Sequence, residues 1–484
     1  MQKDNFKKIL IILFSLSASI TLSFFYVTLY DAYQLDQTTN IMLKEETYAH
    51  WFQAAKIVEQ LKNGVSFFVT GGEHYTKPLP RMIVVLYSLI TNHQIINDWQ
   101  NYKIALGGKM SFLVCQAIFY YFSVYIFYIQ TSKLFNKRTV SFIIIFLCVE
   151  PTLFQYHSSF WTESIYFSIQ LLILSMMLSA KETYITFFIM GLLLGLLFLQ
   201  RTVGIFYIIV VSLYYLFLCK EGRPNKIAIL FIIYLTICAT VGLHNLKRAG
   251  IFYIMPSEGN YSMYRYFAKD VLQDANGYSD DQVNRIETNR ALNWTVNNIS
   301  PELKYLKDLN LRNPYAVGLE IKDERKRIRY YKHLGNRAFQ ILLENPITTI
   351  KKLISGMIHF SFLNPYFVYY DYEYFKDYGN YQKADFVFSK IHNELIPTRI
   401  AYNLFVYIVC LFGFIKCFKE NRKLTFLLIS SILYYYVIAG WYGNNRYAVP
   451  TLIYMSIFFG NGLNLIIDKI KDKKILTKNR VLIN

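Results

Sequence analysis

The residues of this chain that could do chemistry gather between Asp31 and Pro80, directly after an apolar N-terminal run. Six carboxylates lie in this segment: Asp31, Asp36, Glu45, Glu46, Glu59 and Glu73. A carboxylate can act as a general base when it lies within hydrogen-bond reach of an acceptor hydroxyl. Carboxylates near a helix start also interact favourably with the helix dipole, so both interpretations stay open for each of the six.

The same segment predicts the elements that would position these groups. Tyr48, Ala54 and Leu61 have the spacing of one face of an amphipathic helix, which predicts a helix from about Glu45 to Leu61. Further along, two glycines allow a tight bend, and two prolines fix an extended exit that holds Lys77 in place. A fixed ammonium suits a phosphate group, and a lysine that only reaches toward lipid headgroups is the alternative.

A second candidate phosphate ligand occurs near the other end of the chain. The sequence GNNRYAVP, residues 443–450, puts Arg446 and Tyr447 at the start of the last apolar run. A guanidinium can hold a phosphate with two hydrogen bonds, and its charge does not titrate. Anchoring to ordinary headgroups is the alternative interpretation.

Three further polar residues lie at apolar runs. Glu163 and Arg201 are ionisable groups at membrane depth that need partners, either for function or as a structural pair. His157 could be a ligand, and a structural histidine is the alternative. The sequence has no His-x-x-His, Cys-x-x-Cys or Gly-rich phosphate loop, so it predicts no metal motif and no nucleotide site. The cofactor stays unknown, with a divalent cation left open.

Composition sets the class of protein. Hydrophobic residues make up 54% of the 484 and charged residues 17%, and the apolar residues form long runs. This pattern indicates an integral membrane protein. Ten runs are long enough to cross a bilayer: 9–30, 110–130, 140–156, 161–180, 184–200, 203–219, 227–243, 400–415, 424–441 and 447–467.

Charge sets the orientation of those runs. The formal net charge is +19, and the basic residues concentrate in short links between runs and at the C-terminus, which predicts cytoplasmic termini. The same distribution argues against a nucleic-acid partner. The predicted division is an N-terminal membrane part, 1–246, with an outer loop, 31–109; an extracytoplasmic region, 247–397; and C-terminal helices, 398–484. Two shorter apolar stretches, Met82 to Ile90 and 353–370, are predicted to lie in the interface or to re-enter.

Five segments together resemble the polytopic GT-C glycosyltransferases, in particular family-39-like enzymes such as protein O-mannosyltransferases and the lipid A aminoarabinose transferase. EETYAHWFQAAKIVEQLKNG resembles the first-loop helix of that family, and HYTKPLP resembles its Tyr-x-x-Lys-Pro-Pro-Leu loop. EPTLFQYHSSFWTESIYF resembles the third and fourth spans with their Pro and Ser/Thr-Glu signature. GLLLGLLFLQRTVGIF resembles the Gly-Leu...Arg-Thr/Pro segment, and GNNRYAVP resembles the late Arg-Tyr...Pro motif.

The resemblance implies an all-α polytopic membrane protein, a GT-C-type bundle of about ten transmembrane helices with a structured first outer loop and a small extracytoplasmic domain. It implies a hexosyl- or pentosyltransferase that moves a sugar, usually with inversion, from a polyprenyl-phosphate donor. The acceptor would be a glycan, lipid or protein on the extracytoplasmic face. If the source is bacterial, the location would be the inner or plasma membrane.

The resemblance also implies roles for particular residues. By motif position, Lys77 and Arg446, with Tyr447, would bind the donor phosphate, and Tyr48, His157, Glu163 and Arg201 would support the site. Glu45 would be the acidic residue of the family's first loop. Many relatives have Asp-Glu where this chain has Lys-Glu, so the catalytic carboxylate stays open among Glu45, Asp36 and Asp31.

Two other functions stay open from the sequence. A polysaccharide polymerase or ligase would also use outer-face arginine, but with a lipid-diphosphate-linked glycan. A non-catalytic transporter would need charged or broken helices near mid-membrane, and most ionisable residues fall at the ends of the runs.

Overall fold

The regular structure is helical throughout the described part of the chain. A computed structural model describes residues 2–35, 54, 57–64, 78–91, 106–157, 162–179, 182–218, 223–254, 258–309, 311, 313–362, 382–442 and 448–481. The helices up to residue 249 are α1 Gln2–Leu35, α2 Pro78–Thr91, α3 Leu106–Leu134, α4 Lys137–Val149, α5 Pro151–His157, α6 Glu163–Leu178, α7 Tyr184–Gln200, α8 Tyr207–Leu218 and α9 Arg223–Ala249.

The helices after residue 257 form a polar group and then an apolar group. The polar group is α10 Glu258–Met263, α11 Lys269–Asn276, α12 Asp280–Asn298, α13 Pro314–Glu320 and α14 Glu324–Glu344, with a π-helix at Tyr264–Ala268 and a 3-10 helix at Pro301–Lys307. The last four helices are α15 Pro346–Phe362, α16 Gln382–Glu420, α17 Arg422–Tyr442 and α18 Thr451–Val481.

Four described helices are long and apolar enough to cross a bilayer, as an integral membrane protein requires. The membrane-length stretches are Ser111–Leu134, Pro224–Ala249, Ile400–Glu420 and Thr451–Asp472, and shorter apolar helices accompany them. All ten predicted runs fall mainly on helix. The number of spans and their orientation stay predictions.

The run predicted at 140–156 contains two helices. The chain leaves the helical conformation at Glu150, with φ −61° and ψ 120°, because the following Pro151 disfavours a helical residue before it. The Glu150 carboxylate Oε2 then accepts a hydrogen bond from the backbone N–H of Leu153 at 2.8 Å and caps the new helix. The break redirects the chain just before His157.

Small residues let the C-terminal helices approach closely. Helix α16 packs along α18, and α18 also packs against α4. A Cβ atom added at Gly413 would overlap the carbonyl oxygen of Phe458, and one at Gly462 would overlap that of Val409. Backbone-to-backbone packing of this kind is typical of helices that associate in lipid, where burial of apolar surface gives little driving force.

The predicted amphipathic helix of the first loop is described only in its last part. Residues 57–62 are helical, and Ala54, Ile57 and Val58 are buried against the bundle. Its beginning, with Glu45 and Tyr48, lies outside the described residues. The extended conformation predicted for the two prolines that follow Lys77 is wrong, because Pro78 is the first residue of α2, where the missing backbone N–H of a proline costs no helical hydrogen bond.

The polar region after residue 257 has its own small apolar clusters. One includes Leu306, Val317 and Tyr330, and the other includes Phe267 and Ile341. Helix α14 carries four of its basic residues: Arg325, Arg329, Lys332 and Arg337. The division of the chain into domains stays a prediction.

A histidine in this region is held in its neutral form. The ring of His333 stacks on Trp294, with centroids 3.8 Å apart and planes 4° apart. Burial is the main cause that lowers the pKa of His333 to about 4; Glu287 opposes this shift, and Arg337 and Arg290 contribute to it. The folded region therefore binds fewer protons at this ring than the unfolded chain does between about pH 4 and 6.5.

Acidification should destabilise this region through His333. The free energy of local unfolding should be fully retained above about pH 6.5 and should fall by about 1–2 kcal/mol on descending to about pH 4, after allowance for partial exposure of the ring. Hydrogen exchange of α12 and α14 at several pH values measures it. His333→Phe keeps a stacking ring that cannot titrate, so this variant should lose that part of the pH dependence; an unchanged pH profile would contradict the assignment.

Candidate functional site

A buried ion pair joins the start of α6 to the end of α7. Arg201 Nη1 lies 2.5 Å from Glu163 Oε1, and their side chains are 1% and 0% exposed. Thr162 Oγ1 donates to the other carboxylate oxygen of Glu163 at 3.2 Å. The sequence predicted that both ionisable residues need partners at this depth, and each is a partner of the other.

Local backbone geometry positions the two charges. Glu163 is the first residue of α6, and Arg201 follows α7 in an extended conformation with φ −150° and ψ 133°. A 3-10 turn, Thr202–Gly204, then connects Arg201 to α8. A Cβ atom at Gly204 would lie 3.1 Å from the backbone of Leu197, so the turn needs the close approach that glycine allows.

A hydrogen bond beside the ion pair ties the same two helix ends together. Gln200 Nε2 donates to the carbonyl oxygen of Thr162 at 2.9 Å, and Gln200 is fully buried. An amide that pairs with a backbone carbonyl satisfies two groups that would each be costly to leave unpaired in an apolar surrounding. The ion pair and this bond together make the contact between the helix ends specific.

His157 contacts the same helix start. Its Nδ1 lies 3.0 Å from Ser164 Oγ, and its ring stacks on Tyr120 at a centroid distance of 3.4 Å. Tyr120 in turn donates to the carbonyl oxygen of Leu147 at 2.9 Å. His157 is completely buried, and its Nε2 has no hydrogen-bond partner in the described part of the chain. Ser164 directly follows Glu163, so the three predicted supporting residues with described side chains meet in one cluster.

Buried tyrosines extend this cluster toward the C-terminal helices. The Tyr166 and Tyr435 hydroxyls lie 2.7 Å apart, and Tyr454 donates to the Tyr207 hydroxyl at 2.5 Å. The guanidinium of Arg201 lies 5.9 Å from the centroid of the Tyr166 ring, within the range of a cation–π interaction. The polar contacts thus run from Arg201 into α17 and α18.

The last motif of the sequence ends on α6. Gln170 Nε2 donates to the carbonyl oxygen of Pro450 at 3.0 Å, two turns along α6 from Glu163. Thr451 Oγ1 donates to Ala448 O at 2.7 Å at the start of α18. Helix α6 and its first turn therefore contact three motif residues from other elements: His157, Arg201 and Pro450.

The other predicted site residues have side chains outside the part of the chain that the structure describes. Asp31 lies in α1, and its side chain is outside the described set. Asp36, Glu45, Tyr48, Lys77, Arg446 and Tyr447 lie outside the described residues. Their catalytic and phosphate-binding roles stay predictions.

Several buried polar residues of this cluster were not singled out from the sequence. They are Tyr120, Glu150, Tyr166, Gln170, Gln200, Tyr207, Tyr435 and Tyr454. Gln170 and Gln200 could have been predicted from the sequence, because an amide side chain inside an apolar run needs a hydrogen-bond partner there. The tyrosines could not have been singled out from the sequence, because the chain has 42 of them and many lie at ordinary packing positions.

The described part of the cluster is suited to positioning. Its two charges neutralise each other, and the ring and hydroxyl groups mostly contact one another. In the described residues, no group of three or more His, Cys, Asp or Glu side chains could hold a metal ion.

Comparisons with known proteins give distant structural similarity. No family model and no curated protein matches the chain. The oligosaccharyltransferase AglB of Archaeoglobus fulgidus, solved with an inhibitory peptide and a dolichol-phosphate, matches with 13% identity over 98% of this chain and 52% of AglB, at a TM-score of 0.45. The same archaeon's oligosaccharyltransferase with zinc and sulfate matches with 12% identity over 95% of this chain and 49% of that chain, at a TM-score of 0.42.

A bacterial structure is similar as well. ArnT of Cupriavidus metallidurans, bound to undecaprenyl phosphate, matches with 12% identity over 84% of this chain and 73% of ArnT, at a TM-score of 0.33. The chain spans about half the length of the archaeal oligosaccharyltransferases it matches.

Breaking the buried ion pair should destabilise the bundle strongly. Arg201→Met leaves the Glu163 carboxylate buried without its cation and should cost about 3–5 kcal/mol of unfolding free energy. Adding Glu163→Gln removes the stranded charge, so the double variant should lose less than the sum of the single losses. Unfolding in detergent measures this double-mutant cycle.

A more exposed pair of the same length serves as the control. Arg138 Nη1 lies 2.5 Å from Asp468 Oδ1, with side chains 42% and 48% exposed. Arg138→Met should cost less than about 1 kcal/mol, because water solvates the carboxylate that remains. Equal losses at the two arginines, or additive losses within the buried pair, would show that burial does not govern the Glu163–Arg201 interaction.

Proposed function

We propose that this chain is a membrane glycosyltransferase that transfers a sugar from a polyprenyl-phosphate-linked donor to an acceptor on the extracytoplasmic face. One observation carries the proposal: segments that resemble separate GT-C motifs meet in space. The Ser/Thr-Glu segment and the Arg-Thr segment meet through Glu163 and Arg201. The end of the late Arg-Tyr...Pro motif is hydrogen-bonded to the same helix through Gln170.

The proposed reaction needs opposite charges on the two sides of the anomeric carbon. A carboxylate from the first loop, at Glu45, Asp36 or Asp31, takes the proton from an acceptor hydroxyl as its oxygen attacks that carbon. The bond from the anomeric carbon to the phosphate oxygen breaks, and polyprenyl phosphate leaves with the electron pair. Lys77 and Arg446, with Tyr447 beside them, stabilise the negative charge on the phosphate.

The buried cluster has a positioning role in this proposal. Gln170 fixes the carboxyl end of the segment that carries Arg446, and the ion pair fixes the helix that carries Gln170. Catalysis of this kind depends on holding charged groups in a productive geometry, because small misplacements lower the rate steeply. The proposed topology has ten spans with cytoplasmic termini, which puts Lys77 and Arg446 on the same outer face.

Purified protein should transfer sugar from a polyprenyl-phosphate donor to an acceptor, with a product identified by mass spectrometry. Among Glu45→Gln, Asp36→Asn and Asp31→Asn, loss of the general base should lower kcat roughly 100-fold or more in one variant. Arg446→Ala should lower kcat/KM for the donor to a similar degree, because a phosphate contact is lost. These values are measured with saturating acceptor.

Two comparisons make the assay decisive. Glu420→Gln changes an exposed carboxylate on the predicted cytoplasmic side and should leave transfer unchanged. A lipid-diphosphate-linked oligosaccharide tests the alternative of a polymerase or ligase. Full activity in all the carboxylate variants and in Arg446→Ala would remove the proposed site, and transfer only from the diphosphate donor would favour the alternative.

The predicted phosphate ligands should be accessible from one side of the membrane. In a background without native cysteines, single cysteines at positions 77 and 446 should both react with an impermeant maleimide added outside sealed, right-side-out vesicles or cells. A cysteine at position 420 should react only after permeabilisation. Labelling of 77 and 446 from opposite sides would exclude their action on one phosphate.

A further inference from the structure

The polar region after residue 257 contains a cavity of about 670 Å³ that the proposed reaction does not yet use. One wall is the exposed side of α12, with Asp281, Arg285 and Asn289. The other wall follows the 3-10 helix and carries Lys307 and Asp308. This volume lies in the range of small-molecule sites, about 300–1,000 Å³.

The charged side chains that line this cavity do not form ion pairs within the described residues. Neighbouring charges are paired: Lys269 lies 2.5 Å from Asp280, and Arg337 lies 3.0 Å from Glu287. Asp281, Arg285, Lys307 and Asp308 form no ion pair within the described residues. Two carboxylates and two cations therefore face one space with their hydrogen-bonding capacity available.

The balance of these groups selects a class of ligand. Carboxylates accept hydrogen bonds from hydroxyls, the two cations donate to hydroxyl oxygens, and the amide of Asn289 does both. An anion would meet both aspartates, and a cation would meet Arg285 and Lys307. A neutral molecule with many hydroxyls satisfies all five without an unpaired charge. Three leucines that also line the cavity offer apolar surface for the C–H face of a sugar ring: Leu292, Leu309 and Leu311.

We infer that this cavity binds the acceptor of the proposed reaction, and that the acceptor is a neutral, hydroxyl-rich glycan. That this ligand is the acceptor rests on the proposed function. That it is a glycan rests on the cavity alone. The sequence leaves three classes of acceptor open, glycan, lipid and protein, and the cavity favours the glycan. Binding here would hold a chain of sugars in the extracytoplasmic region while its end reaches the membrane site.

A matched pair of variants of the full-length protein tests the role in transfer. Arg285→Ala/Asp308→Ala removes one cation and one carboxylate from the cavity. Lys304→Ala/Glu320→Ala removes the same charges from exposed positions of the same region. The cavity variant should raise KM for a glycan acceptor roughly tenfold while kcat and the donor KM stay unchanged, because the lost contacts hold the acceptor equally in the ground and transition states. The control should leave all three constants unchanged.

Direct binding tests the ligand class independently of catalysis. Labelled protein in detergent is applied to an array of neutral hexose and N-acetylhexosamine oligosaccharides, with and without excess inorganic phosphate. Wild type and control should retain at least one neutral glycan, phosphate should not compete, and the cavity variant should lose it. Hydrogen exchange of α12 and α14 verifies that the variant remains folded.

The outcomes separate this inference from the proposed function. Active wild-type enzyme with unchanged acceptor KM in the cavity variant overturns the acceptor role alone. If the wild type binds a glycan but transfers no sugar, the proposed function is wrong, and the cavity is still a glycan-binding site. Absence of glycan binding, binding that the cavity variant retains, or competition by phosphate overturns the assignment of the cavity.

Discussion

The contact between Glu163 and Arg201 is the constraint on which the described bundle depends. Moving either charge alone into an apolar interior costs several kcal/mol, so the fold is favourable only if both arrive together. Each charge also suits its own helix end, because a carboxylate is favourable at the start of α6 and a guanidinium at the end of α7. The pair therefore fixes the register between two helices that apolar packing alone would leave free to slide.

The tyrosine contacts extend this fixed point into the rest of the bundle. Phenylalanine would fill the same space, but only the hydroxyls of Tyr166 and Tyr435 make a directional contact between α6 and α17. In an apolar surrounding, a hydroxyl without a partner is costly, so each bond excludes alternative packings of the two helices. The bond from Gln170 to Pro450 then sets where α18 begins relative to the same helix. The ion pair and these hydrogen bonds together fix the positions of α17 and of the start of α18 relative to α6.

The sequence predicted the helices well, because long apolar runs in a membrane protein have few alternatives to helix. It also predicted that Glu163 and Arg201 require partners, but not that they pair, because their distance of 38 residues says nothing about which helices become neighbours. Pro151 predicts a helix break at Glu150. Hydropathy, which is averaged over many residues, does not detect a single kink and therefore predicted one continuous run. Tertiary pairs such as Tyr166 with Tyr435, 269 residues apart, left no local pattern to read. The candidate carboxylates Asp36 and Glu45 and the candidate phosphate ligands Lys77 and Arg446 lie outside the described residues, so only the sequence supports their proposed roles.

Charge is used in two different ways in this chain, and the bilayer explains the difference. Inside the bundle an unpaired charge is too costly to keep, so Glu163 and Arg201 neutralise each other and contribute position. In the polar region water solvates a charge at small cost, so Arg285 and Asp308 can stay unpaired and remain available to a ligand. The same reasoning favours catalytic and phosphate-binding charges at the membrane surface, which is where the sequence predicts the segments that carry Glu45, Lys77 and Arg446. A transferase built in this way would keep its chemistry at the water boundary and would use the buried polar contacts to hold that boundary in shape.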